Sequence, residues 1–155
     1  MAIKVIGAVV LLLCGGLWCA LRAREELGEQ ARVAGFAALF ARVGERIEGL
    51  CLPLDDILAS LPPALLQACG MAEGTYAALC AAMATVRDDQ AAEMLARACA
   101  QLGRGTREDQ VRLCAALSGE LQRRSETMRE DCRKNGRARA ALVMCGALGG
   151  IILLW

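Results

Sequence analysis

The chain of 155 residues contains no histidine, only two lysines (Lys4 and Lys134) and three prolines, and its aromatic side chains amount to two Phe, two Trp and one Tyr. Without imidazole, the commonest general acid–base and the commonest metal ligand are both missing, so neither a His-based triad nor a His-containing metal centre can be assembled. No GxxxxGK segment occurs, which removes the P-loop. The formal net charge is +1, so no global field gathers nucleic acid or an acidic substrate. These absences lead to the expectation of a protein that is not an enzyme, carries no cofactor and no metal, and does not bind nucleic acid.

What is present is aliphatic. Hydrophobic residues make up 56% of the chain and aromatic residues 3%, with Ala and Leu in excess, which favours helices over sheets. Charge is unevenly placed: residues 5–21 and 140–155 contain none, and every charged residue except Lys4 lies between them. The first run, "VIGAVVLLLCGGLWCAL", would span about 25 Å as a helix at ~1.5 Å per residue, the short end of what crosses a bilayer core. The second, "AALVMCGALGGIILLW", closes on Trp155, an aromatic suited to a membrane interface.

Two membrane spans are the simplest expectation. A cleaved signal peptide fits the first run less well, because Arg22 and Arg24 follow the apolar stretch as they do in an anchor. A lipoprotein site fails as well, since Leu13 and Trp18 precede Cys14 and Cys19 where a small residue is needed. A buried helix of a soluble fold is the alternative for the second run. Basic residues set the orientation: Arg22, Arg24, Arg32, Arg129, Arg133, Lys134, Arg137 and Arg139 flank the inner ends of the two runs, against Lys4 outside. The expected organisation is a transmembrane helix over 1–21, a cytoplasmic helical bundle over 22–139 and a transmembrane helix over 140–155.

Between the runs the apolar pattern is helical. Phe36, Phe40, Val43, Ile47 and Leu50 step by three and four, predicting a long amphipathic helix that stops near Pro53. "LPLDDILASLPP" predicts a short helix begun at Pro53, with Asp55 and Asp56 in its first turn and Pro62 and Pro63 ending it. "GTYAALCAAMATV" and "DDQAAEMLARACAQL" predict two more helices, the second opened by Asp88 or Asp89. In "LGRGTREDQ", Gly103 and Gly105 supply a helix stop, and Thr106 with Asp109 forms a capping-box pattern for the next helix. On that helix Val111, Cys114, Leu117, Leu121, Met128 and Cys132 keep heptad-like spacing, with Ser125 in the one polar slot. Its expected partner is the first long helix, antiparallel.

The remaining motifs are weighed against plain structure. Nine cysteines without a CxxC read as free thiols acting as small hydrophobes. Glu25 with Glu29, and Asp88 with Asp89, read as solvated helix faces. The interleaved "RRSETMREDCRKNGRAR" reads as a juxtamembrane segment meeting anionic lipid. Gly146 and Gly150 form a GxxxG pair on which another membrane helix can come close, with Gly7, Gly15 and Gly16 as the expected surface inside the chain. Arg104 and Arg107 stand at the positive end of a helix, where Arg gains little from the dipole, so with Asp109 and Gln110 they make the candidate partner-binding loop.

Four segments, "IKVIGAVVLLLCGGLW", "LPLDDIL", "LGRGTREDQ" ahead of a long charged helix, and the closing "GALGGIILL", together resemble the stage III sporulation protein AB family, in the same order and across the whole chain. The helical middle of that family is similar to the cytoplasmic helical domain of the type II secretion inner-membrane platform protein. The resemblance implies a non-enzymatic platform in the mother-cell membrane around the forespore, part of a secretion-like channel complex. It also implies as partners other proteins of the stage III sporulation A operon, including the cytoplasmic secretion-type ATPase and small membrane subunits. A membrane-anchored sensor or regulatory helical domain binding a small ligand or lipid head group is the alternative.

Overall fold

The computed structural model describes residues 2–49 and 52–154, and among them every regular element is an α-helix. The order is α1 (Ala2–Gly49), α2 (Leu54–Ala59), α3 (Pro63–Ala68), α4 (Tyr76–Ala84), α5 (Asp89–Gln101) and α6 (Arg107–Leu154). The chain divides into two compact units, one of Met1–Gly28 with Met128–Trp155 and one of Glu29–Thr127. Leu50, Cys51 and Trp155, to which the sequence pattern assigns places, lie outside the described residues.

In the unit Glu29–Thr127 the core is built around α1. Val33, Phe36, Ala37, Leu39, Phe40 and Val43 are buried there, as are Cys114, Leu117 and Leu121 of α6 and apolar residues of α2 to α5. Two glycines show how α1 is enclosed. A Cβ on Gly35 would lie 3.2 Å from the backbone of Ala68, and one on Gly44 would lie 3.2 Å from the Cβ of Cys114. Nine residues are two and a half turns at ~3.6 residues per turn, so these contacts fall on opposite faces. The single stripe expected from the sequence is therefore widened, because α3 covers the face that α6 does not. The expected antiparallel pairing of α1 with α6 is present: Gly44 meets Cys114, and Ile47 and Glu48 meet Arg107.

The short elements follow from their ends. Pro53 stands just before α2 as its N-cap, not inside it, and α2 stops at Ala59. The second proline of Pro62–Pro63 opens a further helix, α3, where the sequence pattern predicts only a stop. That helix closes in a Schellman arrangement on Gly70 at φ 77°, with Met71 N–H donating to the Leu66 carbonyl at 2.9 Å and Gly70 N–H to that of Gln67 at 2.9 Å. Thr75 caps α4 by accepting from Ala78 N–H at 3.2 Å. Gly74 has no room for a side chain, since a Cβ there would stand 2.5 Å from the Leu58 carbonyl oxygen.

Asp88, not Asp89, caps α5, accepting from Ala91 N–H at 2.9 Å. The same carboxylate takes a two-pronged contact from Arg124 of α6, Nε at 2.9 Å and Nη2 at 2.6 Å. Glu29 Oε1 accepts from Arg87 N–H at 2.6 Å. Glu29 and Asp88 are thus joints between helices, a correction to their reading as solvated faces. Ser125 is buried, and its hydroxyl donates to its own helix at the Gln122 carbonyl, 2.8 Å away, so the polar slot in the stripe is satisfied locally.

In the other unit, large apolar side chains face outward. Val10, Leu13, Leu17, Trp18 and Leu21 of α1 are between 51% and 68% exposed, and Leu142 of α6 is 72% exposed. Among the described residues no helix is long and apolar enough to cross a membrane. Of the second uncharged run only positions 141, 142, 145 and 146 belong to the set whose surroundings are described, whereas most of those in the first run do.

Hydrogen bonding from Arg124, reinforced by the Ala91 amide and the guanidinium charge, holds the Asp88 carboxyl below its ordinary value against the opposing effect of burial. A depressed carboxylate contributes stability that is complete well above the unfolded value of about 3.9 and is lost as the pH falls through the lower folded value. Asp88→Asn keeps a capping oxygen but removes the charge, so it should cost about 1 kcal/mol at neutral pH. The gap between wild type and variant, measured by urea unfolding, should shrink as the pH falls below about 4. A gap independent of pH would mean that the ion pair adds nothing.

Candidate functional site

The loop over residues 102–110 is where the sequence places its docking candidates, and its geometry assigns most of them a task in the fold. Leu102 is buried and ends α5, with its N–H on the Ala98 carbonyl at 2.8 Å. Gly103 at φ 79° and Gly105 at φ 95° take the left-handed turns that only glycine adopts without strain. The capping box then forms in full: Asp109 N–H donates to Thr106 Oγ1 at 3.2 Å, and Thr106 N–H to Asp109 Oδ2 at 3.1 Å. The Thr106 hydroxyl and amide also hold the Asp109 carboxyl below its ordinary value.

Gln110 stitches the turn from inside. Its Nε2 donates to the Gln101 carbonyl at 3.1 Å and to the Arg104 carbonyl, while its Oε1 accepts from Gly103 N–H at 3.0 Å. Arg107 reaches away from its own helix to α1, with Nε on the Ile47 carbonyl at 2.8 Å and Nη2 on that of Glu48. These carbonyls belong to the last described turn of α1. The sequence leads to the expectation that Arg107 contributes little to folding; its dipole position is poor, but its bonds close another helix. Of the four loop residues, Arg104 alone lies exposed with only its backbone taking part in the bonds that shape the turn.

The glycine pair of α6 divides differently. A Cβ on Gly146 would meet nothing within 4 Å, and the same holds at Gly7, Gly15 and Gly16. The close approach expected between these glycines is therefore not made among the described atoms, and Gly146 lies on an open face. Gly150 is described as part of α6, but its surroundings lie outside the described residues. In the same unit a groove of about 480 Å³ runs between the helices, with Cys19 and Ala23 on the α1 side and Arg129, Cys132 and Arg133 on the α6 side.

One cluster has no counterpart in the sequence pattern. Cys80 of α4 and Cys99 of α5 bring their sulfurs to 2.6 Å, and the hydroxyl of Tyr76 donates to the Cys99 carbonyl at 3.0 Å while lying 3.7 Å from its sulfur. Hydrogen bonding to Cys99, then to Cys80, pushes the Tyr76 phenol above its ordinary range, and desolvation first, then the bond to Cys99, pushes the Cys80 thiol up. Apolar–polar periodicity treats each Cys as one more small residue. Only the antiparallel pairing of α4 with α5 reveals that they share a position. By contrast, Cys69 and Cys114 are buried, and burial raises their thiols to about 12 and about 11 respectively.

Among the described residues no three of Cys, Asp and Glu gather in a way that could hold a metal ion. No family model matches this chain, and no curated protein or solved structure does.

The loop's bonds separate two kinds of change. Thr106→Ala should cost about 0.5–2 kcal/mol by unpairing the first turn of α6. Arg107→Ala should cost about 0.5–1.5 kcal/mol by removing its bonds to the Ile47 and Glu48 carbonyls of α1. Arg104→Ala should be neutral in the same denaturation experiment. Equal effects at Arg104 and Arg107 would contradict these assignments.

Proposed function

We propose that the chain is a non-enzymatic adaptor held in a membrane by a helix at each end. In this reading the unit Glu29–Thr127 stands in the cytoplasm as a docking body for a sporulation secretion-like channel complex. The observation that carries the membrane part is the outward apolar face of α1. Val10, Leu13, Leu17 and Leu21 recur every three or four residues, with Trp18 beside them, all more than half exposed. A face of this kind is costly in water and is at home in lipid or against another membrane helix. The basic residues clustered on the inner side of both apolar runs support the orientation.

The process comes from the resemblance to the stage III sporulation protein AB family. It supplies the mother-cell membrane around the forespore as the location, and as partners the proteins of the same operon, among them the secretion-type ATPase and the small membrane subunits. Arg104 is the side chain of the loop best suited to meet an acidic partner surface, since its removal leaves the turn intact. Asp109, Gln110 and Arg107 would then present it. In the membrane, Gly146 and Gly150 offer the small face for a subunit helix. A second reading, a regulatory domain sensing lipid head groups, is favoured by Arg129 and Arg133 at the groove of the terminal unit.

Capture of tagged full-length protein from sporulating cells, with identification of bound proteins, tests the assignment. The operon partners should be recovered with wild type. Arg104→Glu should lower recovery of the ATPase several-fold while the variant remains in the membrane fraction. Recovery of none of these partners with wild type would overturn the platform reading, and retention of anionic lipid alone would favour the sensor.

A further inference from the structure

The hairpin of α4 and α5 holds a chemical group that neither docking nor membrane insertion uses. Cys80 and Cys99 lie 19 residues apart on the two arms, and both are partly exposed, so a small reagent can reach them. Their meeting is fixed by the fold around them. Thr75 caps α4, Asp88 caps α5, and the Tyr76 hydroxyl bonds the Cys99 carbonyl across the hairpin. With sulfurs 2.6 Å apart, the pair needs little movement to reach the ~2.05 Å of a bond.

We infer that Cys80 and Cys99 form a reversible disulfide site, closed by exchange with a small disulfide of the glutathione class. One protein thiolate, its proton given to solvent, attacks a sulfur of the small disulfide. It forms a mixed disulfide and expels one small thiolate, which takes up a proton. The second protein thiol loses its proton and attacks the protein sulfur of that mixed disulfide, releasing the second small thiol. Two protein thiols are oxidised to one disulfide, and one small disulfide is reduced to two thiols. The new bond ties α4 to α5 around the turn that carries Asp88, the residue gripped by Arg124 of α6. In a reducing compartment the site rests as the dithiol, and oxidation of the thiol pool closes it. The inference does not rest on the proposed membrane role.

Full-length protein in detergent, equilibrated with mixtures of reduced and oxidised glutathione, acid-trapped, alkylated and mapped by mass spectrometry, provides the test. An intrachain link between Cys80 and Cys99, lighter by two hydrogen atoms than the dithiol, should appear at a lower fraction of oxidised glutathione than any other link and vanish on reduction with dithiothreitol. Cys80→Ser and Cys99→Ser, each shown to be helical by circular dichroism, should abolish it and leave the remaining thiol as a glutathione adduct. The wild-type map decides the matter even if a variant fails to fold. Recovery of Cys80 and Cys99 as separately alkylated thiols, or as separate glutathione adducts, in a large excess of oxidised glutathione would overturn the inference.

Discussion

Phe36 and Phe40 supply the largest buried surfaces in the unit Glu29–Thr127, and they lie on a helix that must be kept dry on two opposite sides. Gly35 lets the end of α3 approach one face, and Gly44 lets α6 approach the other. Each fully buried apolar side chain of this size contributes about 1.5–3 kcal/mol. That gain is realised only if both covers are in place. The short helix α3 is therefore not an ornament on a two-helix pair. Its end seals the face of α1 that α6 leaves open, the turn at Gly70 fixes where it stops, and the tight contact at Gly74 sets α2 beside the loop that leads into α4.

An Ala-rich chain with few aromatics has small side chains along most of its helices, and small faces fit one another in many registers. Here the arrangement is fixed at helix ends by polar bonds between elements. Asp55 accepts from the first amide of α4, Glu29 from Arg87, Asp88 from both its own helix and Arg124, and Arg107 donates to the end of α1. Among the described residues no buried side-chain nitrogen or oxygen lacks a partner. Directional bonds thus supply the uniqueness that a core of large interlocking side chains would otherwise provide.

Much of this fold is legible in the order of the amino acids. The stripe of α1 and the capping box at Thr106 follow from local spacing, because helix period and cap chemistry are local properties, while the antiparallel pairing of α1 with α6 is expected from the matching apolar stripes of two long helices and not from spacing alone. Helix α3 escapes such a reading because Pro63 looks like a stop; a proline at the first helical position is equally a start, and Gly70 seven residues later supplies the matching C-terminal signal. The roles of Arg107, Asp88 and Glu29 are not readable from spacing, since each depends on a partner between 36 and 60 residues away. The meeting of Cys80 with Cys99 is hidden for the same reason. Arg104 remains the docking candidate of the loop because its neighbours are engaged in the fold.

The outward apolar residues of α1 and Leu142 of α6 contrast with the polar outer face of the unit Glu29–Thr127, where Arg42, Glu45, Glu93 and Arg97 pair in water. One chain thus presents surfaces suited to two solvents. The proposed membrane hairpin, with its middle in the cytoplasm, would account for both, and topology reporters test that proposal most directly. A reporter fused after Trp155 should be active only outside the cytoplasm, and one inserted at the open turn of Gly103 only inside. Cytoplasmic activity at both positions, with the protein recovered in the soluble fraction, would contradict the hairpin.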